Sequence, residues 1–133
     1  MSAALRSYVT GAWHTPTDEG RPLHDATTGE EIAHISSAGI DFAAMLDYGR
    51  RVGGPALRAL TFHQRAALLK QLAGYLKERR GELYAVSAHT GATENDSRFD
   101  VDGGIGVLYA YASLGRRELP NDTVYVEGPV VPA

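Results

Sequence analysis

The residues with the chemistry to act are five histidines (His14, His24, His34, His63 and His89), carboxylates at Glu94, Asp96, Asp100 and Asp102, three arginine pairs, and glycines at 103, 104 and 106. No cysteine is present, which removes a thiolate nucleophile, a Cys-ligated metal and a disulfide framework together. The histidines show no HExxH or comparable spacing, and His24 meets His34 only if a hairpin register allows it, so structural roles are favoured over a metal site. Ser87 and His89 are two residues apart, which on a helix places them on different faces rather than in a nucleophile–base pair. The carboxylates lie where a helix is expected to begin, and first-turn acids are what its positive end favours, so that reading is preferred over paired-carboxylate catalysis. Arg50-Arg51 and Arg79-Arg80 fall at expected helix C-termini, where cations are favoured, and solvated helix ends are preferred over a phosphate-binding set that would also include Arg116-Arg117. Gly104-Ile105-Gly106-Val107-Leu108-Tyr109 opens like a dinucleotide fingerprint. Its third glycine is replaced by Tyr109, however, and Arg98 to Asp102 is no apolar strand, so helix packing is preferred. No catalytic, cofactor-binding or metal residue follows from spacing alone.

Residues 5 to 36 are read as extended runs around turns. Tyr8-Val9 and Ala12-Trp13 flank Thr10-Gly11, and Thr27-Thr28-Gly29 separates Leu23-His24-Asp25 from Glu31-Ile32-Ala33-His34-Ile35, giving two hairpins with a loop from Pro16 to Arg21. From Asp41, a plausible N-cap, the period changes to that of a helix, with Phe42, Met45 and Leu46 on one face and Gly53-Gly54-Pro55 as the stop. Thr61-x-x-Gln64 is a capping box that opens a long helix with an apolar stripe of Ala66, Leu69, Leu72, Ala73 and Leu76. Gly81 is expected to break it, and Thr90-Gly91 to stop the following turns through Leu83 and Val86. A further helix is expected from about Asp96 through Val101, Ile105, Leu108, Tyr109 and Ala112. After the turn at Pro120-Asn121-Asp122, residues 123 to 127 read as a strand, and the sequence finishes on the apolar Val130-Val131-Pro132-Ala133.

The 133 residues are 44% hydrophobic and 22% charged, which suits one soluble domain. A net charge of -3 argues against non-specific nucleic-acid binding. The sequence after Met1 has no apolar signal core and no run of 18 apolar residues occurs anywhere, so a cytoplasmic protein without a membrane partner is expected. Asn95-Asp96-Ser97 and Asn121-Asp122-Thr123 match the glycosylation pattern only by coincidence on that reading.

The order of hairpins and helices, with Arg65-Ala66-Ala67-Leu68-Leu69-Lys70 opening the long helix, Thr90-Gly91 closing the next and Tyr111-Ala112 ahead of the final strand, resembles the aldehyde dehydrogenase superfamily. More narrowly, three blocks are similar to the bifunctional ring-cleavage enzymes of phenylacetate degradation. They are Gly54 to Phe62, Ser87-Ala88-His89-Thr90-Gly91-Ala92-Thr93, and Gly103-Gly104-Ile105-Gly106 with Tyr111 to Pro120. Gly91-Ala92 stands where the superfamily usually has Gly-Lys, a departure shared with that narrower group.

The resemblance implies an α/β parent fold, with this chain by itself mixed and mainly helical. N-terminal β-hairpins would occupy residues 1–36, about four helices 41–119, and a C-terminal strand 123–127, all within the N-terminal part (1–133) of one aldehyde dehydrogenase domain. It further implies oxidation of a CoA-linked semialdehyde with NADP. The family's nucleophilic cysteine, general base, oxyanion asparagine and cofactor-binding lysine come later than this chain extends, so neither catalytic nor cofactor residues carry over and the chain alone should be inactive. Gly103 and Gly104 correspond to a helix bordering the substrate entrance and are the candidate substrate-channel residues. The expected partners are the remainder of the module and, when complete, further copies in a homo-oligomer. A free-standing helical interaction module is the rival; unlike a segment of a larger body, it should cover its own apolar faces and leave no unpaired final strand.

Overall fold

The hydrophobic period changes near residue 40, and the architecture changes with it. The computed structural model describes residues 3–128. Strands β1 (Ala3–Ala4), β2 (Ser7–Val9), β3 (Ala12–His14), β4 (Arg21–His24) and β5 (Glu31–Ile35) come first. β2 and β3 form the expected hairpin, Val9 facing Ala12. Both turn residues have positive φ, Thr10 at 49° and Gly11 at 86°, which matches the twist of the strands at the expense of a β-branched residue in the left-handed region. The second hairpin also forms, Leu23 facing Ala33. Its turn is built by Asp25, whose Oδ1 accepts from the amides of Thr27 (2.7 Å) and Thr28 (2.9 Å), while Gly29 supplies the positive φ of 74°. The loop from 16 ends one residue early, because Arg21 and Pro22 belong to β4. The sheet order β1-β5-β4 makes β4 an edge, where a missing amide hydrogen is tolerated. β1, parallel to β5, was not anticipated, since two alanines carry no period.

Helix α1 (Phe42–Tyr48) is capped as expected, with Asp41 Oδ1 accepting from the Ala44 amide at 2.9 Å. The expected stop at Gly53-Gly54-Pro55 does not occur. A π-helical turn over Gly49–Gly53 carries the chain into α2 (Gly54–Arg58), and Pro55 falls in its first turn, where no amide hydrogen is needed. Arg50 and Arg51 therefore sit mid-arm and not at a helix end, with Arg51 paired to Asp47 one turn back.

Helix α3 (Phe62–Glu78) carries the full capping box, Gln64 N donating to Thr61 Oγ1 and Thr61 N to Gln64 Oε1. It ends at Arg79, not Gly81, which lies inside α4 (Arg80–Ala88). The Arg79 amide bonds the Leu76 carbonyl, tightening the last turn, and its guanidinium lies 3.8 Å from the centre of the Tyr75 ring. Gly91, at φ 83°, stops the chain after α4 as expected. Helix α5 (Glu94–Glu118) begins two residues before Asp96, because Thr93 is the cap and Asp96 its reciprocal partner.

The helical core is the antiparallel contact of α3 with α5. Ala66 and Ala73 from one and Ile105 and Ala112 from the other are buried, and the space beside Gly115 is filled by Ala66 Cβ. Leu72, expected in this stripe, is exposed. A clasp closes the pair: the Phe62 amide donates to the Asp122 carbonyl at 2.9 Å, Thr61 Oγ1 to Asn121 Oδ1 at 2.8 Å, and His63 Nε2 to the Leu119 carbonyl at 2.9 Å. The strand expected over 123–127 is not formed. No ladder partner reaches it among the described residues, and without cross-strand bonds an isolated run gains nothing from pairing; Val124, Tyr125 and Val126 are all exposed. The apolar finish at Val130 to Ala133 lies outside the described residues.

A hydrogen-bonded tether joins the second hairpin to the helices. His89 Nδ1 donates to Asp25 Oδ2 at 2.7 Å, and the Ala26 amide donates to the His89 carbonyl. The His89 bond first, then the Thr28 and Thr27 amides, lower the Asp25 pKa from 3.8 to about 2. His34 donates from both ring nitrogens, to the Glu19 carbonyl and the Glu31 carboxylate, so the imidazolium is favoured and its pKa is raised by those partners in that order. No described helix is long and apolar enough to cross a membrane.

Two outcomes follow for stability. Ala73, with 0% exposure, leaves no room for a larger side chain, so Ala73→Leu should lower the unfolding free energy by about 1–3 kcal/mol in urea titration. Asp25 has a lowered folded pKa, so its stabilisation is complete above the unfolded value of 3.8 and is lost as pH falls through about 2. Asp25→Asn should therefore unfold at lower urea than the parent at pH 5, with the gap closing toward pH 2; a gap independent of pH would contradict this.

Candidate functional site

Three glycines in one helix are costly, each on the order of 1 kcal/mol against alanine in a helix interior. Helix α5 nevertheless runs unbroken through Gly103, Gly104 and Gly106. A Cβ built on any of them would meet nothing within 4 Å. The packing explanation considered from sequence therefore finds no neighbouring atom among the described residues. Gly103 and Gly104 instead line a shallow open depression together with Arg98, Phe99, Asp102 and Val107. Phe99 stands 83% exposed at its rim.

Helix α4 supports this stretch from behind. Tyr84 Oη lies 2.9 and 2.8 Å from the two carboxylate oxygens of Asp102, to which it donates. Burial first, then the carboxylate, raises the Tyr84 pKa, so the phenol keeps its proton. One turn earlier Ser97, 2% exposed, donates to Ser87 Oγ at 3.0 Å. On the other flank Ile105 is buried. Sequence reasoning missed the bonds from Tyr84 to Asp102 and from Asp25 to His89. The turn chemistry of Asp25 was readable, but a partner 64 residues away was not.

The remaining candidates are not brought together for chemistry. Ser87 bonds Ser97 and not His89, as their spacing implied. His14, His34, His63 and His89 each bond a carbonyl or carboxylate, while His24 faces Glu31 and His34 faces Pro22, so those two do not pair across the hairpin. No group of three metal-ligating side chains is found among the described residues. Glu94 and Asp96 occupy the first turn of α5 and Arg116 and Arg117 its last, the placement its dipole favours. Glu94 bonds Arg98, and Arg117 bonds Glu118. A second open groove, between α3 and α5, has a floor of Ala66, Gly74 and Ala112 with Lys70, Tyr109 and Arg116 at its edges. Gly104 and Gly106 sit mid-helix, where backbone amides are turned along the helix axis into intrahelical bonds and cannot cradle a pyrophosphate. The Gly104–Gly106 stretch therefore does not fit a nicotinamide dinucleotide.

Residues 13–129 match the model of the aldehyde dehydrogenase family. The 3,4-dehydroadipyl-CoA semialdehyde dehydrogenase of Aromatoleum evansii is 44% identical over 113 residues, which cover 84% of this chain and 22% of that relative. The match thus spans well under a third of the relative's length. With the family matched across almost all the described residues, the chain belongs to the aldehyde dehydrogenase family.

Proposed function

We propose that this chain supplies the N-terminal scaffold of a cytoplasmic aldehyde dehydrogenase that oxidises a CoA-linked semialdehyde with NADP in phenylacetate degradation. The observation that carries the reading is the 44% identity to a dehydrogenase named for such a substrate. On this reading the nucleophile, the base and the dinucleotide site belong to the remainder of the module. The chain's own part is to shape the path of the substrate at Gly103 and Gly104. A semialdehyde on a CoA arm is long, and a helix face without side chains leaves room for it.

The exposed surface supports a role within a larger body over a free-standing helical module. The chain exposes 10009 Å². A folded monomer of its 14.3 kDa would expose roughly 6,800 Å². Among the described residues no large side chain is fully buried, while Phe42, Leu46, Leu68, Leu72 and Tyr111 all face outward. The remainder of the module is the proposed cover for these faces, and the complete enzyme is proposed to assemble as a homo-oligomer.

The purified chain, given NADP and an aldehyde, should produce no NADPH absorbance above a blank; cofactor-dependent turnover would overturn the division of labour. In the complete enzyme, Gly103→Leu should raise KM for the CoA-linked semialdehyde about tenfold while changing KM for a small aldehyde far less. Equal losses for both substrates, or a fall in Tm large enough to explain them, would assign the glycines to packing.

A further inference from the structure

A helix that gives up side chains at three positions within four residues also gives up local stiffness, and something must hold its line there. Helix α5 is fixed before this stretch by Ser97, buried against Ser87, and within it by Ile105, buried in the helical core. Between those two points, the bond from Tyr84 to Asp102 is the one side-chain hydrogen bond between helices among the described residues. It falls on the residue immediately before Gly103. The acceptor is a carboxylate with both oxygens in reach of the phenol, which makes the bond charge-assisted and hard to replace with water in the same geometry.

We infer that Tyr84 is a positioning residue: its phenol holds Asp102 and thereby braces the glycine-weakened part of α5 that borders the open depression at Gly103 and Gly104. The bond joins α4 to α5 across 18 residues of sequence. The ring is half-buried, and Tyr84→Phe keeps it while removing only the hydroxyl. The consequence for substrate rests on the proposed channel, whereas the brace itself rests only on the helices.

Tyr84→Phe in the complete enzyme separates the two. Hydrogen exchange of the amides at 103 to 106 should accelerate about tenfold, with Tm nearly unchanged. Asp102→Ala should do the same, Asp102→Asn, which keeps an acceptor oxygen, should restore most of the protection, and the Tyr84→Phe/Asp102→Ala double variant should exchange no faster than either single one. Unchanged exchange in Tyr84→Phe, or strictly additive effects in the double variant, would overturn the brace. KM for the CoA-linked semialdehyde should rise severalfold in Tyr84→Phe, with kcat and the KM of a small aldehyde held. Faster exchange without that split would leave the brace standing and remove the channel reading instead.

Discussion

Close approach of two helices through small side chains is the constraint from which the helical half is built. Ala66 and Ala73 on α3 and Ile105 and Ala112 on α5 recur every seven residues, so each returns to the same face and meets its counterpart on an antiparallel neighbour. Gly115 extends the seam toward Ala66. Side chains this small bury little area each, and the contact gains from backbone proximity and dispersion more than from large apolar surfaces. Helix α4 adds a further layer, with the polar links Ser87 to Ser97 and Tyr84 to Asp102. Leu68 and Leu72 of α3 and Tyr111 and Leu114 of α5 are left exposed.

Local chemistry was legible in the sequence wherever a signal and its consequence lie within one turn. The box at Thr61 and Gln64, the cap at Asp41, the glycine stop at Gly91 and the turn at Thr27-Thr28-Gly29 all formed as read. The errors arose where two local signals competed. Gly53-Gly54-Pro55 looks like a terminator, yet a π-helical turn absorbs the irregularity and hands proline to a new first turn, where it is harmless. Gly81 looks like a breaker, yet the helix ends at Arg79, whose backbone leaves the helical region and whose amide bonds the Leu76 carbonyl. The run at 123–127 has strand composition, but composition cannot provide the partner that a strand needs. Of the candidate site, the glycines were visible and their lack of neighbours was not, because the distance from Gly103 to other helices depends on packing that no local pattern encodes.

The exposed apolar residues and the family match bear on one another. An autonomous domain of this size would be poorly served by a core of five buried hydrophobic residues, four of them alanine. For a member of a family in which a matching relative is several times longer, the same surface is what a subdivision of a larger core looks like when viewed alone. The glycine face differs from these patches in the space that its missing side chains leave beside the exposed Phe99 and Val107.

The clasp between the start of α3 and the residues after α5 has a topological meaning. Because Phe62 bonds Asp122 and Thr61 bonds Asn121, the stretch from 61 to 122 begins and ends at one place. A segment whose ends meet is a closed unit, joined to its surroundings at that point and, through His89, at the second hairpin. Closing a loop of that length adds only a slowly growing entropy term, so the clasp can hold with a few hydrogen bonds. The three helices are therefore a natural module for transplantation between relatives. Exchanging 61 to 122 as a block would keep the seam, the brace and the glycine face intact, whereas a junction placed inside α3 or α5 would divide the seam.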